Sequence, residues 1–162
     1  FCLKDSRVHT ISVGASRPDD LNLHLEAVSR LEDASGLIVP VQERLQQAAA
    51  DALRDDWLLT WPHRLPSWQD TPGEINLPVL LWLHNLLEAW DLESYAQARY
   101  RLLGSGGHWF AGSNADAFGD TIDDAQLLAV LGNSPWRDRI PGILRTLKER
   151  LAGESQMRLS SV

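Results

Sequence analysis

The residues Gly14-Ala15-Ser16-Arg17 have the types and the spacing of a loop that could bind a phosphate group. The preceding residues 8–13 are rich in β-branched side chains, which predicts a short strand. Pro18 follows the loop at a position that suits the first turn of a helix, where a missing N–H costs little. A helix N-terminus offers free N–H groups and a partial positive charge, and Ser16 and Arg17 add a hydroxyl and a cation. The pattern therefore indicates binding of an anion such as a nucleotide phosphate.

A structural alternative for the same loop needs no ligand. Ser16 can serve as the N-cap of the following helix in an ordinary turn from strand to helix. Asp19 and Asp20 lie in the first helical turn and bring negative charge to the place where an anion would bind. The local pattern leaves both interpretations open.

The block Thr71-Pro-Gly-Glu-Ile-Asn-Leu-Pro78 has the outline of a metal-binding segment without its ligands. Cysteines that bind iron–sulfur clusters occur at short regular spacings that end in Cys-Pro. Here Thr71 holds the final position, and steps of three residues lead back to Trp68, Leu65 and Pro62. None of these side chains binds iron, and one hypothesis is that their bulk fills the space of a cluster. The simpler interpretation is a Trp-rich loop packed on a helical core, and both interpretations exclude a cluster.

The block Gly106-Gly-His-Trp-Phe-Ala-Gly112 contains the third group of interest. A single histidine beside two aromatic residues is more often a structural residue than a catalyst. His63, His84 and His108 share no ligand spacing, so the sequence predicts no metal site. A helical enzyme that uses His108 as an acid or base is the least favoured reading, because no oriented partner is evident.

Composition and charge exclude several classes of function. The 162 residues carry a formal charge of −7 and contain 44% hydrophobic residues, a balance that favours a globular core over disorder. The negative charge and scattered arginines argue against nucleic acid. The longest apolar run, residues 77–83, is too short to span a bilayer. The single cysteine, Cys2, excludes internal disulfides and a thiolate metal cage, and we expect a cytoplasmic protein.

After Gly36, which should end the first helix, the pattern predicts helices throughout. Prolines should open three of them, and the remaining two should be capped by polar residues. The predicted segments begin at Pro40, at Pro78 (to Trp90), at residue 92 (to 103, capped by Asp91), at residue 122 (to 131, capped by Thr121 or Asp120) and at Pro141 (to Leu151). Residues 55–77 and 104–119 are predicted to be long connections, which in compact domains are usually functional.

These blocks together resemble one enzyme family. The run Val8-His-Thr-Ile-Ser-Val-Gly-Ala-Ser-Arg-Pro-Asp-Asp-Leu21, with the helix of residues 22–31, is similar to the last strand, loop and helix of the aldo/keto reductase barrel. The blocks at residues 71–78 and 107–112 resemble the C-terminal extension of a bacterial branch that carries ferredoxin-type cysteines. Ile140-Pro141 and the helix to Leu151 resemble the end of the second cysteine set. Both cysteine sets are absent here.

The resemblance implies a mainly α chain: the terminal β-loop-α unit of a TIM (β/α)8 barrel at residues 1–36, an α-helical C-terminal extension at 37–153 and a flexible tail at 154–162. A complete barrel takes about 250 residues, and the first residue is Phe1, so we expect a C-terminal fragment of an NADP-dependent aldo/keto reductase acting on small carbonyl substrates. The implied cofactor of the complete protein is NADP, with its phosphate held by Gly14, Ala15, Ser16 and Arg17. No iron–sulfur cluster is expected, and the family's catalytic residues lie on earlier strands.

A second hypothesis is a non-enzymatic helical module that binds a partner protein. Residues 55–112 hold six of the seven tryptophans, and exposed tryptophans are typical of partner-binding surfaces. Burial of the same side chains would instead indicate a structural core.

Overall fold

The computed structural model describes residues 2–105 and 110–152, and these residues are mainly helical. That part of the chain contains seven α-helices and three short 3-10 helices. Two isolated β-bridges occur there, Ile75 with Ser113 and Phe118 with Ile122, and the described residues form no sheet. The predicted mainly α class is confirmed.

The chain divides into two compact units, Phe1–Gln47 and Ala48–Val162, here called the N-terminal unit and the C-terminal unit. The helices are α1 (Pro18–Ser29), α2 (Ala34–Leu53), α3 (Asp55–Thr60), α4 (Leu77–Trp90), α5 (Glu93–Tyr100), α6 (Asp124–Leu131) and α7 (Ile140–Leu151). The 3-10 helices are Cys2–Lys4, Trp68–Asp70 and Pro72–Glu74. Among the described residues, no helix combines the length and the apolar character that crossing a bilayer requires.

The strand predicted at residues 8–13 is wrong, because these residues form no ladder. A strand needs a neighbour that accepts its backbone hydrogen bonds, and no strand exists elsewhere in the described chain. The helix start predicted at Pro18 is confirmed, since Pro18 occupies the first turn of α1. Gly36 does not end this helix, and Pro40 does not open the next one. Both lie inside α2, where the missing N–H of Pro40 forfeits one hydrogen bond.

The N-terminal unit has no fully buried core. None of the side chains described between residues 2 and 47 is buried, although many are apolar. Leu21, Leu25 and Val28 of α1 are 56%, 69% and 52% exposed. Exposed apolar area of this extent is typical of a surface that another element covers.

The core of the C-terminal unit is built around α4. This helix is apolar nearly all round, and the predicted burial is confirmed by six leucines: Leu77, Leu80, Leu81, Leu83, Leu86 and Leu87. Helices α5 and α7 both contact α4 and also pack on each other. Helix α7 contributes five further buried apolar side chains to the same cluster: Ile140, Ile143, Leu144, Leu147 and Leu151. Pro141 lies in the first turn of α7, as predicted.

Two predicted caps are wrong. Asp91 does not cap the helix that follows. It ends α4 in the left-handed conformation (φ 52°, ψ 38°), and α5 runs over Glu93–Tyr100 instead of residues 92–103. The cap of α6 is Asp123, whose carboxylate accepts from the N–H of Gln126 at 2.9 Å. Ile122, the predicted start, lies outside the helix because it pairs with Phe118.

The predicted connection at residues 55–77 is partly helical, because Asp55–Thr60 forms α3. The described residues of the second predicted connection, 104–119, contain no α-helix. Residues 106–109 and the predicted tail at 154–162 lie outside the described part of the chain. Short helices inside an irregular stretch give its backbone groups internal partners, which a long buried loop lacks.

Candidate functional site

The loop Gly14–Arg17 lies directly before α1, but two of its backbone amides, those of Ser16 and Arg17, are already bonded within the chain. The carboxylate of Asp20 accepts the N–H of Ser16 at 2.8 Å and the N–H of Arg17 at 3.0 Å. These two bonds lower the pKa of Asp20, because they stabilise its charged form. Asp20 therefore occupies the place that an anionic ligand would take at this helix N-terminus.

The side chains of the loop are still available to a ligand. Gly14, Ala15, Ser16 and Arg17 are all exposed. Arg17 makes no ion pair with any described residue, and a Cβ on Gly14 would meet no atom within 4 Å. The hydroxyl of Ser16 and the guanidinium of Arg17 thus fit a phosphate, whereas the amides fit it only after Asp20 is displaced.

In the C-terminal unit the Thr71–Pro78 block and the end of the Gly106–Gly112 block pack against each other. The N–H of Ser113 donates to the carbonyl of Glu74 at 2.8 Å, and the N–H of Asn76 donates to the carbonyl of Ser113 at 2.9 Å. The side-chain amide of Asn76 donates to the carbonyl of Ala111 at 2.7 Å. Its oxygen accepts the N–H of Val79, which caps α4. We call this set of bonds the Asn76 clamp.

The positions that stand where cluster cysteines would be expected differ in their surroundings. Thr71 is buried, and its hydroxyl lies 2.7 Å from the carbonyl oxygens of both Trp68 and Ile75. Leu65 packs on the core, whereas Pro62 is exposed. The described residues contain no group of three or more His, Cys, Asp or Glu side chains placed to hold a metal ion.

A second polar group in the C-terminal unit surrounds Trp57, which is fully buried in α3. Its indole N–H donates to Oδ1 of Asn85 at 2.6 Å. The ring of His84 meets it edge-on with centroids 5.6 Å apart, and the ring of Trp136 lies at 5.0 Å. The guanidinium of Arg139 stacks over Trp57 at 4.4 Å. We call these residues the Trp57 cluster.

His84 is strongly perturbed by its surroundings. It is 7% exposed, and burial, together with the positive charges of Arg139 and Arg150, lowers its pKa to about 4. The sequence reasoning missed this cluster. A signal was present, because His84 and Asn85 stand in the middle of a helix that is otherwise apolar on all sides.

The tryptophans serve mainly as core. Trp57 is buried, and Trp61, Trp82 and Trp136 are partly buried against the core. Trp90 is the most accessible described tryptophan, at 37%. Trp109 and His108 lie outside the described residues.

Comparison of the chain with protein-family models, with curated proteins and with solved structures gave no significant match. The resemblance to aldo/keto reductases therefore rests on the motifs themselves.

We predict that Gly112→Ala destabilises the protein more than Gly119→Ala. Both glycines have positive φ, 78° and 85°, which disfavours any L side chain by about 1–2 kcal/mol. A Cβ on Gly112 would also lie 2.7 Å from the carbonyl oxygen of Glu74 and 3.2 Å from the ring of Trp68, whereas one on Gly119 meets nothing within 4 Å. Overpacking should add about 1–3 kcal/mol. Urea unfolding measures both variants, and equal losses would contradict the close approach at the clamp.

Proposed function

We propose that the chain is the C-terminal part of an NADP-dependent aldo/keto reductase, an oxidoreductase that reduces small carbonyl compounds. The N-terminal unit would complete the barrel and hold the phosphate of the cofactor through Ser16 and Arg17. The C-terminal unit would act as a helical cap that has no iron–sulfur cluster. The motifs at residues 8–21, 71–78 and 107–112 are the basis of this proposal.

The observation that supports it best is the uncovered apolar surface on both sides of the Gly14–Arg17 loop. Ile11 and Val13 before the loop are 45% and 50% exposed, and α1 after it exposes three large apolar side chains. An open cavity of about 570 Å³ lies between these segments, lined by Ile11, Val13, Ala27, Val28 and Leu31 among others. An extended segment and a helix that belong to a barrel would show such faces when their neighbours are absent, because a barrel covers its strands on both faces and its helices on the inner face.

Asp20 sets the conditions under which this loop could hold a phosphate. While its carboxylate bonds the amides of Ser16 and Arg17, it repels an approaching anion. The guanidinium of Arg17 offers paired donors and a positive charge. A phosphate held by Arg17 and Ser16 therefore has to outweigh the repulsion of Asp20 or replace it at the two amides.

Nicotinamide supplies the hydride when the cofactor is bound, so the task of this part of the chain is to bind and orient. Proton transfer would be the task of the family's catalytic residues on earlier strands, and we give it to no described residue of the N-terminal unit. We expect that residues 1–162 alone do not reduce carbonyl compounds with NADPH.

The sequence encoded upstream of Phe1 decides the proposal directly. It should encode further barrel strands with the tyrosine and lysine that aldo/keto reductases use in catalysis. A start codon shortly before Phe1, or measurable carbonyl reduction by residues 1–162 alone, would contradict it.

In the full-length protein, Arg17→Ala should weaken the binding of NADPH about 10–100-fold and leave the binding of NADH nearly unchanged. Only NADPH carries the additional phosphate, and a charged hydrogen bond contributes about 1.5–3 kcal/mol. Asp20→Asn should favour NADPH over NADH by a few-fold, since it removes the repulsion while keeping a side chain that can cap α1. Arg30→Ala is the matched control, because Arg30 is exposed in the same unit and pairs with Glu26. Isothermal titration with both cofactors measures these changes. Equal effects of Arg17→Ala on NADPH and NADH would refute the phosphate role.

A second candidate function is that of a helical interaction module. It is supported by a small aromatic surface beside α5, where Trp90, Leu92 and Tyr95 are 37%, 43% and 43% exposed. The guanidinium of Arg99 lies 4.7 Å above the ring of Tyr95. Tryptophan, tyrosine and arginine are the residues that most often dominate binding energy in protein interfaces.

Iodide quenching of tryptophan fluorescence tests whether this surface is accessible in solution. Trp90→Phe should remove a large part of the quenchable signal, and Trp57→Phe should leave that part unchanged because Trp57 is buried. A Trp90→Phe variant with undiminished quenching would count against this surface as a binding site.

A further inference from the structure

His84 carries two polar atoms that have no partner. Both ring nitrogens are inaccessible to solvent, and neither makes a hydrogen bond to any described residue. A neutral imidazole always has one N–H donor and one acceptor nitrogen, so both are left unsatisfied. Leaving buried polar atoms unpaired costs free energy, and such groups in a folded protein call for an explanation.

The charges that face His84 would make its protonated form still less favourable. Arg139, the N-cap of α7, and Arg150 within α7 (together called the α7 region) both lower the pKa of His84 through their positive charges. Arg150 is balanced by Glu88 and Glu93, whose carboxylates lie 3.2 and 3.3 Å from its terminal nitrogens. Arg139 makes no ion pair with a described residue and stacks on Trp57 and Trp136 at 4.4 and 5.7 Å.

Helix α3 brings no compensating negative charge to the imidazole. Its contact with His84 is the ring of Trp57, and its acidic residues, Asp55 and Asp56, are exposed. Asp56 is 3.8 Å from the side chain of Arg54. A proton on His84 would therefore be buried beside two cations without an acceptor.

Two side-chain hydrogen bonds tie the same six-residue helix to α4 and to Trp136. The indole of Trp57 donates to Asn85 of α4 at 2.6 Å, and the indole of Trp136 donates to the hydroxyl of Thr60 at 3.0 Å. Ring packing against His84 and Trp136, the stacked guanidinium of Arg139 and the packing of Leu58 against the core also hold α3.

Both ends of α3 adjoin a strained backbone. Arg54, the N-cap, has φ 68° and ψ 151°, a conformation that is nearly restricted to glycine. Arg64, shortly after the helix, has φ 58°. Positive φ at a residue with a side chain is unfavourable and persists only where the surrounding contacts enforce it. The strain at Arg54 and Arg64 would be relieved when α3 leaves its position.

We propose that His84 is an acid-sensitive switch whose protonation releases α3 from α4 and the α7 region and exposes Trp57. The neutral imidazole allows the ring of Trp57 to pack against it, and the charged imidazolium cannot stay in the same place. This proposal is independent of the cofactor and of the N-terminal unit.

The direction of the pH dependence follows from the two protonation equilibria. The pKa of His84 is lowered from 6.5 to about 4 with α3 docked, while the solvated imidazole of the released state has an ordinary value. The docked state therefore binds fewer protons between these pH values. Docking of α3 is at full strength above pH 6.5 and weakens as the pH falls towards about 4. In that range the equilibrium constant for the release of α3 rises by up to tenfold for each unit by which the pH falls.

Hydrogen exchange of the Leu58–Trp61 amides in residues 1–162 tests the proposal, with rates corrected for intrinsic pH dependence. Protection of these amides should fall between pH 6.5 and 4.5, while protection in α4 and α6 changes much less. His84→Phe should abolish the pH dependence, and His63→Gln should keep it because His63 is exposed. Loss of protection in α3 and α4 together would overturn the proposal, since it indicates global unfolding. Equal pH dependence in the wild type and His84→Phe would also overturn it.

Arg139→Gln provides a second test that does not depend on the fold tolerating a change at His84. Removing one cation beside the imidazole should make its protonation easier in the docked state, so the slope of α3 protection against pH should become shallower. A purely structural role of Arg139 predicts lower protection at every pH with an unchanged slope. An unchanged slope would contradict the role of the positive charges in the switch.

Discussion

The C-terminal unit depends on the side chain of Asn76. Its oxygen starts α4 by accepting the N–H of Val79, and its amide group binds the carbonyl of Ala111, 35 positions further along the chain. Because α4 carries the largest share of the buried leucines, the same residue both fixes where the core begins and joins two distant loops to it. Neutral hydrogen bonds of this kind contribute about 1 kcal/mol each, but a buried amide left unpaired costs more. The constraint is therefore chiefly one of specificity: alternative positions of either loop would leave Asn76 unsatisfied.

The two units satisfy their polar groups in contrasting ways. In the N-terminal unit, the half-buried Asp20 bonds the free amides at the start of α1. In the C-terminal unit, His84 is buried with unpaired nitrogens, although the surrounding core is well packed. The first arrangement gives both amide donors a charged acceptor. The second one carries an energetic cost that only the contacts of neighbouring aromatic rings offset.

Sequence patterns predicted the start of a helix best where a proline fits its first turn. Pro18, Pro78 and Pro141 lie in the first turns of helices, as their fixed φ favours. Pro40 shows the limit of that signal, because α2 continues across it. The strand at residues 8–13 failed for a different reason. β-branched side chains favour an extended backbone, but a strand exists only with a neighbour.

The candidate sites were predictable to different degrees. The loop at Gly14–Arg17 was visible from its residue types, while the bonds from Asp20 depend on a backbone conformation that composition does not specify. The Trp57 cluster brings together residues from α3, α4 and the segment before α7, which are far apart in the chain. No local pattern contains that information. The two conspicuous blocks at 71–78 and 106–112 were noticed separately, and their contact through the clamp emerges only from the fold.

The clamp also indicates how distant relatives of this chain could be recognised. Gly73 and Gly112 both have positive φ, and a Cβ on either would meet an atom closer than 3.0 Å, so neither position tolerates a side chain without rearrangement. Asn76 is constrained with them through its bonds to both loops. Surface residues can diverge without disturbing these three positions. Gly73, Asn76 and Gly112 are therefore the positions by which a chain with this fold could be recognised. Such a search depends on backbone geometry rather than on overall sequence identity.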